Sequence, residues 1–379
     1  MFEIELNYLI IIALSLSTLG LLLQMGIYWG LFSRLAWYKA PEIPSGTALL
    51  PPVSVVICAH NERHNLEKYL PDILSQDYDD FEVVVVNDCS DDETEELLTE
   101  LSRLNPALKI VHLRQSLNFF RSKKFPLSMG IKSAKNEILL LTDADCSPLG
   151  KRWITEMVQG FQKNSTEVVL GYGPYKKKNG LLNLLIRFDT LHIAMQYLSF
   201  ALIGRPYMGV GRNLSYHKSL FLRNKGFTAH YNIPSGDDDL FISQVASKKN
   251  TNIVINKDAR MYSMPKQSFS SWITQKRRHL STSPYYHFMT KFALGSIIIS
   301  QWIFYAGIIV MLFTALPWWL AVSFFMVRLI TQMIVTKACA AQLGENKLWL
   351  FTPVGDLFFM LFNPALVLTN LIAKPYKWK

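Results

Sequence analysis

Paired cysteines are missing from this chain. Its four cysteines, Cys58, Cys89, Cys146 and Cys339, form no CxxC pair and no Cys/His cluster with zinc spacing, which excludes a zinc ribbon, a thioredoxin-type redox motif and a disulfide scaffold. Three of them lie in or beside apolar, strand-like segments and read as small buried thiols. No internal repeat and no low-complexity tract is present, so solenoids and disordered linkers are set aside. Acidic residues are comparatively scarce, 29 against 39 Lys and Arg, and the net charge is +10. Such a chain favours phosphate-bearing small molecules and anionic lipid headgroups. Nucleic acid is not expected as a partner, because no recognisable binding motif accompanies the charge.

Half of the residues are hydrophobic, and they are unevenly placed. Tyr8 to Phe32 is uncharged and long enough to cross a hydrocarbon core of about 30 Å. The residues before it contain Glu3 and Glu5 but no Lys or Arg, unlike a secretory signal. With Arg34 and Lys39 behind it, the run reads as a retained anchor that leaves the following residues in the cytoplasm. A second run covers about Phe292 to Leu316 and a third Pro317 to Thr336, with Arg328 inside it expected to face protein or snorkel. A fourth, Leu348 to Ile372, is interrupted by Pro353, Gly355, Asp356, Asn363 and Pro364 and reads as a span or a re-entrant segment. Were it to span, Lys374, Lys377 and Lys379 would fall outside. Leu181 to Ile203 is helical but carries Arg187, Asp189 and His192. It is expected at the membrane surface or packed on the domain. The organisation expected is an anchor over residues 1–40, an α/β domain over 51–280 and a membrane region over 292–379.

Between the apolar blocks, strand-like runs (Val53 to Cys58, Phe81 to Val86, Lys109 to Leu113, Ile138 to Leu141) alternate with helical patterns (Asn65 to Leu74, Asp92 to Leu104, Lys124 to Ala134). Continuous apolar strands separated by helices predict a mostly parallel, Rossmann-like sheet covered on both faces. Ligands of such sheets bind beyond the carboxyl ends of the strands. Three strand ends carry polar clusters: Ala59-His60-Asn61-Glu62, Asn87-Asp88-Cys89-Ser90-Asp91-Asp92, and Thr142-Asp143-Ala144-Asp145. Gathered carboxylates repel one another unless a cation compensates, and Mg²⁺ or Mn²⁺ suits an all-oxygen site that bridges to phosphates. Asp92 and Glu93 also suit the start of a helix, as do Asn61 and Glu62.

VSVVICAHNE, VVVVNDCSDDET, LLLTDADC, GVGRNLSY, GDDDLF and QKRRH occur in the order seen in glycosyltransferase family 2. The resemblance covers about Pro51 to Leu280, and the flanking spans resemble the membrane-bound branch of cellulose, chitin and hyaluronan synthases. It implies a GT-A fold and inverting transfer from a nucleotide-sugar, usually a UDP-sugar. By motif, Ala59, Asn61, Glu62 and Asp88 look like the nucleoside side and Lys123 like the lysine that helps bind the nucleotide. Asp143 and Asp145 look like the metal and diphosphate site. Gly211 and Asn213 lie in the segment resembling the acceptor side. Ser235 to Leu240 resembles the motif bearing the general base. Counting back from Leu240 selects Asp237 and counting forward from Gly236 selects Asp238. Gln275 and Arg278 match the QxxRW motif of processive synthases, with His279 where tryptophan is expected.

The function so implied is metal-dependent transfer of a sugar to a lipid-linked or polysaccharide acceptor at the cytoplasmic face, in a bacterial inner membrane. Single transfer is favoured over processive synthesis, since His279 replaces the tryptophan and few helices are available for a channel. An oligomer or membrane partner would supply more. The competing reading is a non-catalytic, membrane-anchored nucleotide-binding or scaffold protein.

Overall fold

The structure is a computed structural model and describes residues 2–40, 50–114, 122–162 and 165–372. Two compact units are present: residues 1–38 with 286–369, and 39–285 with 370–379. The first unit opens with α1 (Phe2–Met25), which continues through a π-helical stretch, Gly26–Phe32, into α2 (Ser33–Ala36).

The second unit begins with β1 (Val53–Ala59), buried along its whole length. It is followed by α3 (Arg63–Leu74), β2 (Phe81–Asp88), α4 (Thr94–Leu104), β3 (Leu108–Leu113), α5 (Lys124–Ser133) and β4 (Ile138–Asp143). β1 pairs in parallel with both β2 and β4, and β2 with β3. The Val- and Ile-rich strands are enclosed from both sides, as continuous apolar runs require. Gly130 of α5 shows how close the cover lies: a Cβ there would meet Val56 Cγ1 at 2.7 Å and Val86 Cγ2 at 2.8 Å.

Beyond β4 the chain forms β5 (Cys146–Pro148), α6 (Trp153–Val158), β6 (Val168–Gly171), α7 (Leu181–Leu202), β7 (Leu214–His217) and α8 (Lys218–Arg223). Then come α9 (Asp239–Val245), β8 (Thr251–Val254), β9 (Met261–Ser263) and α10 (Phe269–Leu280). The main sheet runs β3-β2-β1-β4-β7-β6-β8, with β7 antiparallel to both neighbours, while β5 and β9 make a separate pair. The strand order turns about β1: the chain moves outward to β3 and returns to β4 on the other side. That reversal opens a crevice at the carboxyl ends of β1 and β4. α7 packs within this unit, burying Leu185, Phe188, Leu191, Met195 and Leu198 along one face.

The first unit is completed by α11 (Phe288–Leu312), α12 (Trp318–Gln342) and α13 (Thr352–Ile372). With the N-terminal helix these make, among the described residues, four helices long and apolar enough to cross a membrane, which fits an integral membrane protein. α13 runs unbroken through Asn363 and Pro364. Lys374, Lys377 and Lys379 lie outside the described residues. α1 and α11 approach closely at small residues: a Cβ on Gly307 would sit 2.5 Å from Ser17 N, and one on Gly20 2.5 Å from the Phe304 backbone. Such small-residue contacts are how helices pack where lipid supplies no hydrophobic drive.

Arg328 of α12 is 2 % exposed and faces protein. Its guanidinium donates to Asp356 Oδ2 at 2.9 Å, Gln24 Oε1 at 3.0 Å, Tyr305 Oη at 3.0 Å and Gln332 Oε1 at 3.1 Å. Gln332 Nε2 in turn donates to Asp356 Oδ1 at 2.8 Å and Tyr28 Oη at 3.0 Å. One ion pair and its hydrogen bonds thus join all four long helices. A charge is tolerated at such depth only when paired in this way.

Candidate active site

The strand register brings the polar ends level. Ala59 lies opposite Asn87 across β1 and β2, and Cys58 lies opposite Asp143 across β1 and β4. Buried Cys58 marks the convergence: its thiol is pushed up to about 12 by burial, and its charged neighbours are Lys123, Asp237, Asp143 and Asp88.

The loops after β1 and β2 are laced together. Asn61 adopts φ 54°, and its backbone N–H donates to Ser90 Oγ at 3.0 Å, while Asp91 N–H returns a bond to Asn61 Oδ1 at 2.9 Å. Glu62 N–H donates to Thr94 Oγ1 at 3.3 Å, and Glu62 Oε2 accepts from Asn65 Nδ2 at 2.5 Å. Asp92 accepts from Arg63 N at 3.1 Å and Thr94 N at 3.3 Å, so it ties the two loops as well as satisfying the first turn of α4. His60 Nδ1 lies 2.6 Å from Asp88 O. The Asp88 carboxyl is shifted upward by burial, opposed by His60.

At the end of β4, Lys123 Nζ forms an ion pair with Asp143. Burial opposes ionisation of Asp143, but Lys123, Arg212 and Arg278 hold its carboxyl below the ordinary range. Asp145 is the reverse case. Burial and then Asp143 raise it, and its hydrogen bonds come from Cys146 Sγ and Ser263 Oγ, both at 3.4 Å. Asp143, Asp145 and Cys146 place their ligand atoms within 4.8 Å of one another. Burial and Asp145 hold the Cys146 thiol well above its ordinary value. It stays protonated, which leaves two carboxylates as a donor set suited to a hard divalent cation.

Across the crevice, the loop before β7 meets the start of α9. Thr142 Oγ1 donates to Arg212 O at 2.9 Å, joining that loop to β4. Asn213 is fully buried, and its side chain accepts from Trp153 Nε1 at 3.0 Å and donates to Tyr172 O and Ala259 O, both at 2.8 Å. It braces the loop from inside, so its neighbours are the residues that meet the crevice. Gly211 N–H donates to Asp238 Oδ2 at 2.8 Å, and Asp239 N–H to Asp238 Oδ1 at 2.8 Å. The adjacent Asp237 faces Lys123 and Asp143, and its carboxyl is raised by burial and by Asp238.

Asp238 borders a cavity of about 130 Å³ whose walls include Arg212, Tyr175, Gln275, Lys276 and His279. Gln275 Nε2 and Arg212 Nη1 both donate to Tyr175 Oη, at 3.2 Å and 3.1 Å. The Arg212 guanidinium stacks on the Tyr175 ring at 4.4 Å, a favourable cation–π placement. Lys276 pairs with Asp189 of α7 at 2.5 Å, which anchors α10 to the domain. Arg278 lies one helical turn from Gln275, and among the described residues its buried Nε has no hydrogen-bond partner.

Arg212, Tyr175, Lys276 and Asp189 were not foreseen from the sequence. Three of them stood beside a signal: Arg212 between Gly211 and Asn213, Lys276 inside the QKRRH motif, and Asp189 as a charge within an apolar helical run.

Residues 54–224 match the family model Glycosyl transferase family 2. An uncharacterised glycosyltransferase of Haemophilus influenzae is 31% identical over 122 residues, covering 32% of this chain and 36% of the relative. A poly-beta-1,6-N-acetyl-D-glucosamine synthase of Staphylococcus epidermidis is 28% identical over 167 residues, covering 42% and 39%. The chain therefore spans well under half the length of these two relatives. The mannosyltransferase PcManGT from Pyrobaculum calidifontis, solved with GDP-Man and Mn²⁺, superposes with a TM-score of 0.58 at 18% identity, covering 92% of this chain and 99% of that one. It has the same GT-A fold.

Proposed function

The chain carries a family 2 glycosyltransferase domain, and on that premise we propose that it moves a sugar, with inversion, from a nucleotide-sugar to an acceptor hydroxyl at the cytoplasmic membrane face. The observation that carries this reading is Asp238. Its carboxylate is aimed by two backbone donors and borders a cavity shared with Arg212, Gln275 and His279.

The loops after β1 and β2, with Ala59, Asn61, Glu62 and Asp88, take the nucleoside. Asp143 and Asp145 would hold a divalent cation, Mg²⁺ or Mn²⁺. When bound, it supplies Lewis-acid stabilisation of the diphosphate. Lys123, Arg212 and Arg278 face the same place and receive the negative charge that the departing nucleotide gathers. The acceptor enters past Gln275 and His279. Asp238 takes the proton of its hydroxyl as that oxygen attacks the anomeric carbon and the bond to the diphosphate oxygen breaks. Asp237, paired electrostatically with Lys123, holds the donor side of the crevice.

The acceptor is a lipid-linked or polymeric glycan, and single transfer is favoured because His279 offers less stacking surface than an indole. The complex of the solved mannosyltransferase with GDP-Man supports a nucleotide-sugar donor and leaves its base and sugar open here. The test is a screen of UDP- and GDP-sugars with detergent-solubilised full-length protein, following nucleotide release and product length. Asp238→Asn should lower transfer by about 10²-fold or more with the nucleotide dissociation constant nearly unchanged. If Asp238→Asn retains activity while Asp237→Asn loses it, the base is Asp237. Nucleotide binding without turnover of any donor would favour the scaffold reading.

A further inference from the structure

Lys123 and Lys124 are consecutive, yet their side chains serve opposite walls of the crevice. Lys123 reaches Asp143. Lys124, 0 % exposed, turns away and donates to the backbone carbonyls of His230 and Ile233, both at 2.6 Å. Those carbonyls lie more than a hundred residues along the chain, in the segment that leads into Asp237 and Asp238.

That segment has little structure of its own. It contains a single 3-10 turn, Thr228–His230, and short backbone bonds such as Ile233 N to His230 O at 3.1 Å. Phe227 pins its start, packed against Phe221 and Phe241 at 5.0 Å and 5.7 Å between ring centroids. Gly236, at φ 99°, turns its end. Between these points Lys124 ties the segment to α5.

Among the described residues no carboxylate forms an ion pair with Lys124; its charged neighbours are Asp237, Asp239 and Asp238 at longer range. Burying an ammonium group on neutral carbonyls is costly, and burial pushes Lys124 down to about 8. A methionine would fill the same space without that cost. The lysine makes sense where the two charge-assisted bonds are needed to hold backbone in place.

We propose that Lys124 is a positioning residue: it holds the segment bearing Asp237 and Asp238 at a set height above the donor side, which the neighbouring Lys123 shares through α5. This rests on the reading of Asp238 as the general base.

The test compares full-length wild type, Lys124→Met and Lys124→Gln in detergent. In Lys124→Met, amide hydrogen exchange across residues 228–238 should quicken about tenfold or more, the loss of a charge-assisted hydrogen bond or two. Dissociation constants for UDP and GDP should stay within about threefold, and donor KM likewise, because Lys123 and the β4 carboxylates are untouched. Transfer kcat should fall by about 10-fold to 100-fold, the penalty of a base displaced by under 1 Å. Lys124→Gln, which keeps amide donors, should recover part of both losses. Unchanged exchange, or quickened exchange with unchanged kcat, overturns the proposal. If wild type transfers no sugar from any donor, the base reading fails, whereas the exchange comparison still decides whether Lys124 holds the segment. Should Lys124→Met lose nucleotide binding altogether, the same two readouts in Lys124→Gln decide it.

Discussion

The carboxylate of Asp238 accepts a 2.8 Å hydrogen bond from the backbone N–H of Gly211. This contact joins two segments 27 residues apart and fixes the direction of the side chain that borders the cavity. A Cβ at Gly211 would stand 3.3 Å from Asp238 Oδ2 and 3.4 Å from its Cβ. Gly211→Ala should therefore displace the carboxylate by a few tenths of an ångström while leaving the N–H in place. We expect kcat to fall by about tenfold with nucleotide affinity unchanged, measured by steady-state transfer and nucleotide titration. Equal activity in the alanine variant would show that the contact does not orient the reacting group.

Asp145 carries the metal prediction. Burial and Asp143 make its ionisation unfavourable, a cost that a bound divalent cation removes. Transfer should be abolished by EDTA and restored by Mg²⁺ or Mn²⁺, and Asp145→Asn should weaken Mn²⁺ binding by about tenfold or more. Calorimetric titration of Mn²⁺ in the presence of nucleotide reads this directly. Full activity after chelation would remove the metal from the reaction.

In the membrane unit, Arg328 and Asp356 should prove interdependent. Removing one partner of a buried ion pair strands the other and costs about 3–5 kcal/mol. Arg328→Met and Asp356→Leu should each lower the thermal midpoint in detergent sharply. The double variant should lose much less than the sum of the two, since neither charge is left unpaired. Strict additivity would mean that the pair does not act as a unit.

His230 supplies a pH dependence. Its imidazole is 7 % exposed and is pushed from 6.5 down to about 4 by burial and then by Lys124. The folded chain therefore keeps it neutral while the unfolded chain takes up a proton. Its contribution to stability is fully present above pH 6.5 and is lost as pH falls from 6.5 towards 4, by at most about 1.4 kcal/mol per pH unit. Unfolding of the wild type minus that of His230→Gln, followed at pH 7 and pH 5, isolates the effect. An identical pH response in both proteins would contradict it.

The first half of the domain was readable because its strands are long and chemically uniform. Val53 to Ala59 and Phe81 to Asp88 form runs of seven and eight residues, and Val- and Ile-rich segments of that length announce buried parallel strands. β6 to β9 are four residues or fewer, too short for any periodicity to separate them from loop. The antiparallel β7, which carries Gly211 and Arg212 to the crevice, was hidden for that reason. The ion pair of Arg328 was half visible. A charge inside an apolar run demands a partner, but which of the polar interruptions in the last segment would answer it depends on how the helices pack.

By itself the sequence determined the order of the elements in the first half of the domain, the polar strand ends and three apolar spans, because each follows from local composition and spacing, while the form of the fourth apolar segment was left open. Tertiary structure decided what two adjacent residues do. Lys123 was marked by its motif but Lys124 was not, and Asp237 and Asp238 look alike in the sequence. Only packing turns one lysine to Asp143 and the other to the His230 and Ile233 carbonyls, and sets one aspartate near Lys123 and Asp143 and the other against the cavity. Neighbours on one backbone point different ways, and what each side chain meets is set by segments far off in the chain.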